Sequence, residues 1–405
     1  LHGGAPSRVL GMIEEVEKTG DAEAYVKKLL DDGERLMGFG HRVYRAEDPR
    51  ARVLRRTAQE LGAPRYEVAE ALEKAALAEL RARRPDRVLE TNVEFWAAIV
   101  LDYADFYAIL DVGKRQLPSG YRHSNAVTIV SSDLVASSWT YAQLSQRSDQ
   151  VARWLRGLGL GAGDRVIVML NNTIELWEIL LGLLKVGAVA IPTSTLLSDI
   201  DLPWRVETAD TRFAIAPASL AARFHLVRRG TTRVSVGEQP DDGWRSYSES
   251  YDAPDTFVPD GPTPADSPSL LYFTSGTTAH PKLVRHTQVS YPVGHLSTMW
   301  WLGVREGDVH LNISSPGWGK HAWSNFFSPF LAQATVFIFN YARFDAGALM
   351  RIMDTHQVTT FCAPPTVWRM LIQADLTQLS TPPRELVGAG EPLNPEVIGQ
   401  VRTAW

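Results

Sequence analysis

Charge is spread unevenly along this chain, and that asymmetry limits what it can fold into more than any other feature. Residues 1–105 hold 17 Lys and Arg and 20 Asp and Glu, whereas the remaining 300 residues hold only 24 and 26. Charge density therefore falls by about half at one point along the chain. Tryptophan runs the other way: Trp96 precedes the seam and the other eleven follow it. Tryptophan gathers where large apolar or aromatic surfaces are built, so the two stretches need different cores. A length of 405 residues suits two or three domains, and the seam predicts that two differently built units are joined near residue 105.

Composition narrows the classes. Hydrophobic residues make up 45%, with 30 Gly and 24 Pro, which excludes disordered and fibrous chains. A formal charge of −5 lacks the basic excess that phosphate-backbone binding needs, so no nucleic-acid partner is expected. One cysteine, Cys362, leaves no disulfide framework and no multi-cysteine metal site, and points to a reducing, cytoplasmic compartment. It lies in a β-branched run before Pro364, which predicts a buried structural thiol. The most apolar stretch, Ile174 to Leu197, is interrupted by Glu175, Glu178, Lys185 and Pro192, so no membrane span is expected.

Before the seam the apolar spacing is helical, as at Tyr25, Val26, Leu29 and Leu30 and again from Ala51 to Leu80. After it, helical stretches such as Tyr141 to Leu158 alternate with short β-branched or aromatic runs. These are Arg165 to Met169, Val186 to Ile191, Phe213 to Ala216, Thr335 to Phe339 and Val358 to Phe361. That order predicts an all-α fragment over 1–105, a junction over 106–120, and an α/β domain with a largely parallel sheet over 121–405. Gln239 to Ser267, rich in Asp, Pro, Gly and Ser, reads as a long loop. Gly157 to Ala162 fits a Gly-x-Gly-x-x-Ala fingerprint but follows a helix and precedes a strand, the reverse of what a pyrophosphate site requires.

In the first stretch, His2 sits beside Gly3-Gly4. His41 lies within Gly38-Phe39-Gly40-His41-Arg42-Val43-Tyr44-Arg45, ahead of Asp48-Pro49-Arg50, and Glu94 within Asn92-Val93-Glu94-Phe95-Trp96. Two imidazoles, a carboxylate and a guanidinium suffice to take a proton next to a carbonyl and hold a carboxylate substrate, although packed or solvated side chains are equally compatible with composition. The ordered set resembles a C-terminal portion of citrate synthase. By that resemblance His2 would hold the enolate oxygen of acetyl-CoA, His41 would polarise the oxaloacetate carbonyl, Glu94 would take the methyl proton and Arg50 would bind a carboxylate. The family has Asp where this chain has Glu94, which sets the base one methylene further out. The resemblance also implies a homodimer, and 2-methylcitrate synthase is the alternative activity.

In the second stretch an apolar strand, Leu270-Leu271-Tyr272-Phe273, runs into Thr274-Ser275-Gly276-Thr277-Thr278-Ala279-His280-Pro281-Lys282. Hydroxyls, free N–H groups and a lysine can surround phosphate oxygens, though composition alone leaves a solvated turn open. The spacing is not that of a Walker A loop. The order Thr-Ser-Gly-Thr-Thr-x-x-Pro-Lys resembles the signature loop of AMP-forming acyl-CoA synthetases. Supporting matches are Gly163-Asp164-Arg165-Val166, Ser315-Pro316-Gly317-Trp318, Ala363-Pro364-Pro365-Thr366 and Gly388-Ala389-Gly390-Glu391-Pro392. The resemblance implies that Thr274, Ser275, Gly276, Thr277, Thr278 and Lys282 bind the triphosphate. It implies too that Gly388, Gly390 and Glu391 flank adenine and the acyl group, and that Trp318 and Trp323 line the acyl pocket. ATP, Mg2+ and CoA would be the cofactors and a small carboxylate the substrate, while no metal ligand is picked out in this chain. Ala279 stands where the family has Gly.

The chain begins at Leu1 and stops at Trp405, before the family's Tyr-Gly-x-Thr-Glu motif, so the second domain is expected to be incomplete at its C-terminus and neither full reaction to be supported. Three readings remain at this level: an acyl-CoA synthetase carrying a citrate synthase fragment, a non-catalytic nucleotide- or acyl-binding module, and a chimera of two truncated genes.

Overall fold

The computed structural model of the chain describes residues 5–40, 48–60, 62–63, 65–103, 123–225, 227, 230–238, 243–261, 263–264, 266–274 and 281–405. Among these, the first region is built of five helices: α1 (Ala5–Thr19), α2 (Ala22–Asp31), α3 (Pro49–Glu60), α4 (Tyr66–Arg83) and α5 (Val93–Tyr103). Three of them start where a short polar side chain accepts an otherwise orphaned N–H. Asp21 takes that of Ala24 (2.9 Å), Asp48 that of Arg50 (3.0 Å) and Asn92 that of Glu94 (3.0 Å). The continuous helical run expected from Ala51 to Leu80 is two helices, because Gly62 takes φ +62° and ends the first of them. The core gathers Ile13, Leu54, Leu72, Phe95 and Trp96. Trp96 is fully buried yet keeps a polar partner, donating its indole N–H to Glu73 at 2.8 Å.

The second region opens with β1 (Asn125–Val130), β2 (Ala136–Thr140), α6 (Tyr141–Gly157), β3 (Arg165–Val168), α7 (Ile174–Val186) and β4 (Val189–Pro192). It continues through α8 (Asp201–Thr208), β5 (Phe213–Pro217), β6 (Thr232–Val236), β7 (Trp244–Ser246), β8 (Pro268–Thr274), β9 (Lys282–Thr287) and α9 (Ser290–Leu302). After β10 (Val309–Asn312) come α10 (Gly319–Ala322), α11 (Ser328–Leu331), β11 (Thr335–Phe339), α12 (Ala346–Thr355), β12 (Thr360–Ala363), α13 (Pro365–Leu371), β13 (Glu385–Gly388) and α14 (Pro395–Ala404).

Where one largely parallel sheet was expected, the described strands form two. One is ordered β13-β12-β10-β11-β1-β2 and the other β7-β6-β5-β3-β4-β8-β9. Only β1–β2 and β8–β9 pair antiparallel. Helix α7 explains the division: Leu176, Trp177, Ile179, Leu180 and Leu183 are all buried, and a helix apolar over most of its surface must be covered on several sides. With α6 it shares one core with Val127 and Val336 of the first sheet and Val166 and Val168 of the second.

Three local expectations change. Val186 belongs to α7, whose end is set by Gly187 at φ +77°, so the strand begins at Val189. The run expected over Val358 to Phe361 pairs as Thr360–Ala363. Part of the stretch read as a loop is ordered secondary structure. Within it β7 extends the second sheet, and a 3-10 turn, Tyr247–Asp252, starts from a reciprocal cap between Ser246 and Glu249. Buried Trp244 and Tyr247 supply the apolar anchors that the polar composition hid.

The two regions touch through α9. Trp301 packs on the helical core, and the Arg50 guanidinium lies 5.7 Å from its ring centroid.

Candidate functional site

Parallel strands place their carboxyl ends along one edge, and ligands of open α/β sheets bind outside that edge. In the second sheet β4 and β8 run parallel through Ala190 and Leu270, so the segment after Pro192 and the end of β8 at Thr274 share an edge. In the first sheet β10, β12 and β13 end together at Asn312, Ala363 and Gly388. Gly317, in the loop after β10, joins the two edges. It holds φ +93°, and a Cβ there would lie 2.4 Å from the Ser194 nitrogen and 2.7 Å from the Thr193 carbonyl carbon. Only glycine permits that approach of one backbone to another.

At the second sheet's edge, Thr274 and Lys282 face each other across the β8–β9 hairpin, and the Thr274 hydroxyl donates to the Lys282 carbonyl at 3.4 Å. The expected phosphate loop thus joins two antiparallel strands. Ser275, Gly276, Thr277, Thr278 and Ala279 lie outside the described residues. Lys282 is exposed, with no carboxylate within ion-pair distance among the described residues. At the first sheet's edge Gly388 ends β13, and the Ala389 N–H donates to the Ala363 carbonyl at 3.1 Å. Gly390 takes φ +124° with open space where a Cβ would be, and Glu391 is paired at the surface with Arg369 at 3.1 Å. The described residues therefore present an ammonium without a carboxylate partner at the hairpin mouth and a glycine-bordered strand end at the edge of the first sheet, groups of the kind a polyphosphate and a planar base would need. Among the described residues no group of three or more His, Cys, Asp or Glu could hold a metal, and no residue is assigned to one.

The two tryptophans do not share an environment. Trp318 is 66% exposed at the start of α10. Trp323 begins a π-helical turn, Trp323–Phe327, and packs on Trp301 with ring centroids 5.4 Å apart. Behind them lie polar groups with no signal in the sequence beyond their residue types. His310 hydrogen-bonds through Nδ1 to the Thr360 hydroxyl (2.7 Å) and through Nε2 to that of Ser324 (2.9 Å), and burial pushes it down to about 4. His321 meets Asn172 Oδ1 at 2.8 Å, and burial pushes it down to about 3. Both imidazoles are neutral at pH 7. Cys362 is fully buried in β12, as a structural thiol should be, and burial raises its thiol.

In the helical region His2 and His41 lie outside the described residues, whereas Arg50 and Glu94 are brought near each other by Asp48. The Asp48 carboxylate accepts from Arg50 Nε (3.0 Å) and Nη2 (2.8 Å) and, across the fold, from the Val93 N–H at 3.2 Å. Burial pushes the Asp48 carboxyl up, but the Arg50 guanidinium and the two backbone N–H groups outweigh it and hold it below the usual range. Asn92 donates to the Gly40 carbonyl at 3.0 Å, which fixes the strand-like stretch just ahead of His41 against the start of α5. Gly38, at φ +89°, is required there, since a Cβ would meet that of Phe95 at 2.8 Å. The recognised motif residues thus bound this corner, while Asp48, which does the positioning, was legible only as part of Asp-Pro-Arg.

Comparison with known proteins agrees with this division. Residues 119–405 match the AMP-binding enzyme family and residues 1–110 the C-terminal domain of citrate synthase. A 4-hydroxybutyrate–CoA ligase of Metallosphaera sedula is 40% identical over 261 residues, which is 64% of this chain and 46% of that protein. A putative citrate synthase of Mycobacterium tuberculosis is 75% identical over 104 residues, 26% of this chain and 28% of the relative. A mitochondrial acyl-coenzyme A synthetase of Homo sapiens is 30% identical over 78% of this chain and 59% of its own length. The chain therefore spans about a quarter to three fifths of these relatives. The crystal structure of a Brucella canis acyl-CoA synthetase shares the fold, with a TM-score of 0.65 at 24% identity over 73% of this chain and 55% of that one. No described helix is long and apolar enough to cross a membrane. Residues 1–110 match the C-terminal domain of citrate synthase, and by its match over residues 119–405 the chain belongs to the AMP-binding enzyme family.

Proposed function

We propose that the α/β region activates a carboxylic acid with ATP and passes it to CoA. A substrate carboxylate oxygen bonds to the α-phosphorus and pyrophosphate leaves; the CoA thiolate then takes the acyl carbon and AMP leaves. The observation that carries this reading is the meeting of two carboxyl edges at Gly317, with the hydroxyl-rich hairpin on one and Gly388 to Glu391 on the other. Thr274, Ser275, Gly276, Thr277, Thr278 and Lys282 would hold the triphosphate. Gly388, Gly390 and Glu391 would border adenine and acid, and Trp318 and Trp323 the acyl chain. Lys282 is suited to offset charge that builds as the carboxylate attacks, because no carboxylate of the described chain competes for it. Mg2+ would share that charge when bound.

For the helical region we propose a structural role in this chain. Arg50, the candidate carboxylate fork, already grips Asp48 with two hydrogen bonds and lies over Trp301 of the neighbouring domain. His2, His41 and Glu94 remain its candidate catalytic groups.

Calorimetric titration with ATP tests the nucleotide site. Lys282→Ala should weaken binding about tenfold or more, the loss of one charge-assisted contact. Equal affinity in the two folded proteins would remove Lys282 from the site.

A further inference from the structure

Strands β10 and β12 turn four polar side chains to one face. His310 pairs in register with Thr360, and Asn312 with Cys362. The π-helical turn Trp323–Phe327 covers this face and adds Ser324 and Asn325. Turns of this kind interrupt helices frequently at functional sites. The inner half of the layer is satisfied, since both nitrogens of His310 are bonded. The outer half is not. Asn312 is 3% exposed, and neither atom of its amide has a partner. The Asn325 side-chain oxygen, fully buried, has none, and its nitrogen reaches only the Asn312 carbonyl at 3.4 Å. Native interiors leave few such atoms, because each carries its full desolvation penalty.

Lys320 reaches the same place from α10. Its ammonium is half-buried, donates to the Ile313 carbonyl at 3.4 Å, and has no acidic partner among the described residues. Burial lowers its pKa. Lys185, Arg147 and Arg384 are paired with Asp149, Glu178 and Asp308, whereas Arg205, which lies over the Phe273 ring, shares with Lys320 the lack of an ion pair among the described residues. On the outer side, Trp323 and Ala389 pack on the cluster that contains Cys362, so the layer adjoins the segment proposed to border the acid.

We infer that Lys320 and the Asn312 amide N–H form a subsite for a second carboxylate at the far end of the acid, so that the substrates are short dicarboxylates. The inference rests on the ligase reading and deepens it. An ammonium and an amide N–H would donate to the distal carboxylate, which supplies the counter-charge that the fold omits. A simple fatty acid would leave the Lys320 ammonium without a counter-charge and the Asn312 amide N–H without an acceptor, which disfavours it.

The test compares glutarate with valerate, which differ only by a terminal carboxylate in place of a methyl, by calorimetry on the 405-residue chain. Glutarate should bind at least about tenfold more tightly. Lys320→Met should bring the ratio to about one, and Lys320→Arg should keep most of it. Without ligand, Lys320→Met should melt higher than wild type, since an unpaired desolvated charge is replaced by an apolar side chain of similar length. A ratio near one in wild type, a ratio unchanged by Lys320→Met, or a lower melting temperature in that variant would each overturn the inference. ATP titrated in parallel separates the two levels: ATP binding without diacid preference overturns the subsite alone, whereas no ATP binding in wild type overturns the ligase reading itself.

Discussion

The helical and α/β regions manage charge in opposite ways. The first pairs its charges, the buried carboxylates included: Asp48 with Arg50 and Glu73 with Arg55. Its other pairs lie towards the surface: Arg65 with Glu14 and Glu17, Arg81 with Glu90, Arg83 with Asp31 and Glu79. Such pairs are solvated and each contributes little, so this region depends on the packing of Leu54, Leu72, Phe95 and Trp96. The second has a lower density of charge and buries imidazoles, His310 in β10 and His321 in α10, that make no ion pair among the described residues. Buried carboxylates with cationic partners thus accompany a high density of charge, and buried neutral imidazoles lie where charge is sparse.

The comparison breaks most sharply in the helical core. Trp96→Ala removes a fully buried ring and one of the partners of Glu73, which keeps its ion pair with Arg55 at 3.2 Å, so it should destabilise that region by about 3–5 kcal/mol. If the regions unfold separately, calorimetry should show one transition shift and the other stay. Movement of both would make α9 and the helices one cooperative unit.

Acid should separate the regions next. Below pH 6.5 the unfolded chain protonates His310 and His321, while the folded chain resists until about pH 4 and pH 3. Stability of the α/β region should therefore fall as pH falls, by up to about 1.4 kcal/mol per pH unit for each histidine. The Asp48 carboxyl is depressed instead, so its contribution is present above its unfolded value near 4 and is lost only as pH falls below that. Denaturant melts at pH 7 and pH 5 should weaken the α/β transition and spare the helical one, and His321→Gln should remove one histidine's share of the slope. An equal pH effect on both transitions would contradict this division.

A smaller effect is expected at the junction. Trp301→Ala deletes the ring that α9 lends to the helical core and should lower the helical transition by about 1–3 kcal/mol, the area being only partly buried. No shift would mean that the helices hold without the second region. Smallest of all, Arg81→Ala loses only an exposed pair with Glu90 and should change stability by about 0.2–1 kcal/mol. A larger loss would show that the surface network, rather than the core, carries the helical region.

Local chemistry made much of this molecule legible from sequence. The helix after Asp21, the helical spacing from Ala51, and the strands at Arg165, Phe213 and Thr335 follow from apolar periodicity and β-branched runs, which act over a few neighbours. The candidate loop and the Gly388 to Glu391 element were legible as motifs for the same reason. What the sequence could not decide was which distant groups meet. The split into two sheets depends on how many sides of α7 must be covered. The joining of their edges depends on a glycine, Gly317, pressed against Ser194 more than a hundred positions away. Burial of His310 and the unpaired Lys320 are likewise properties of what packs around them, because desolvation is set by all neighbours in space and only a few of those are neighbours in the chain.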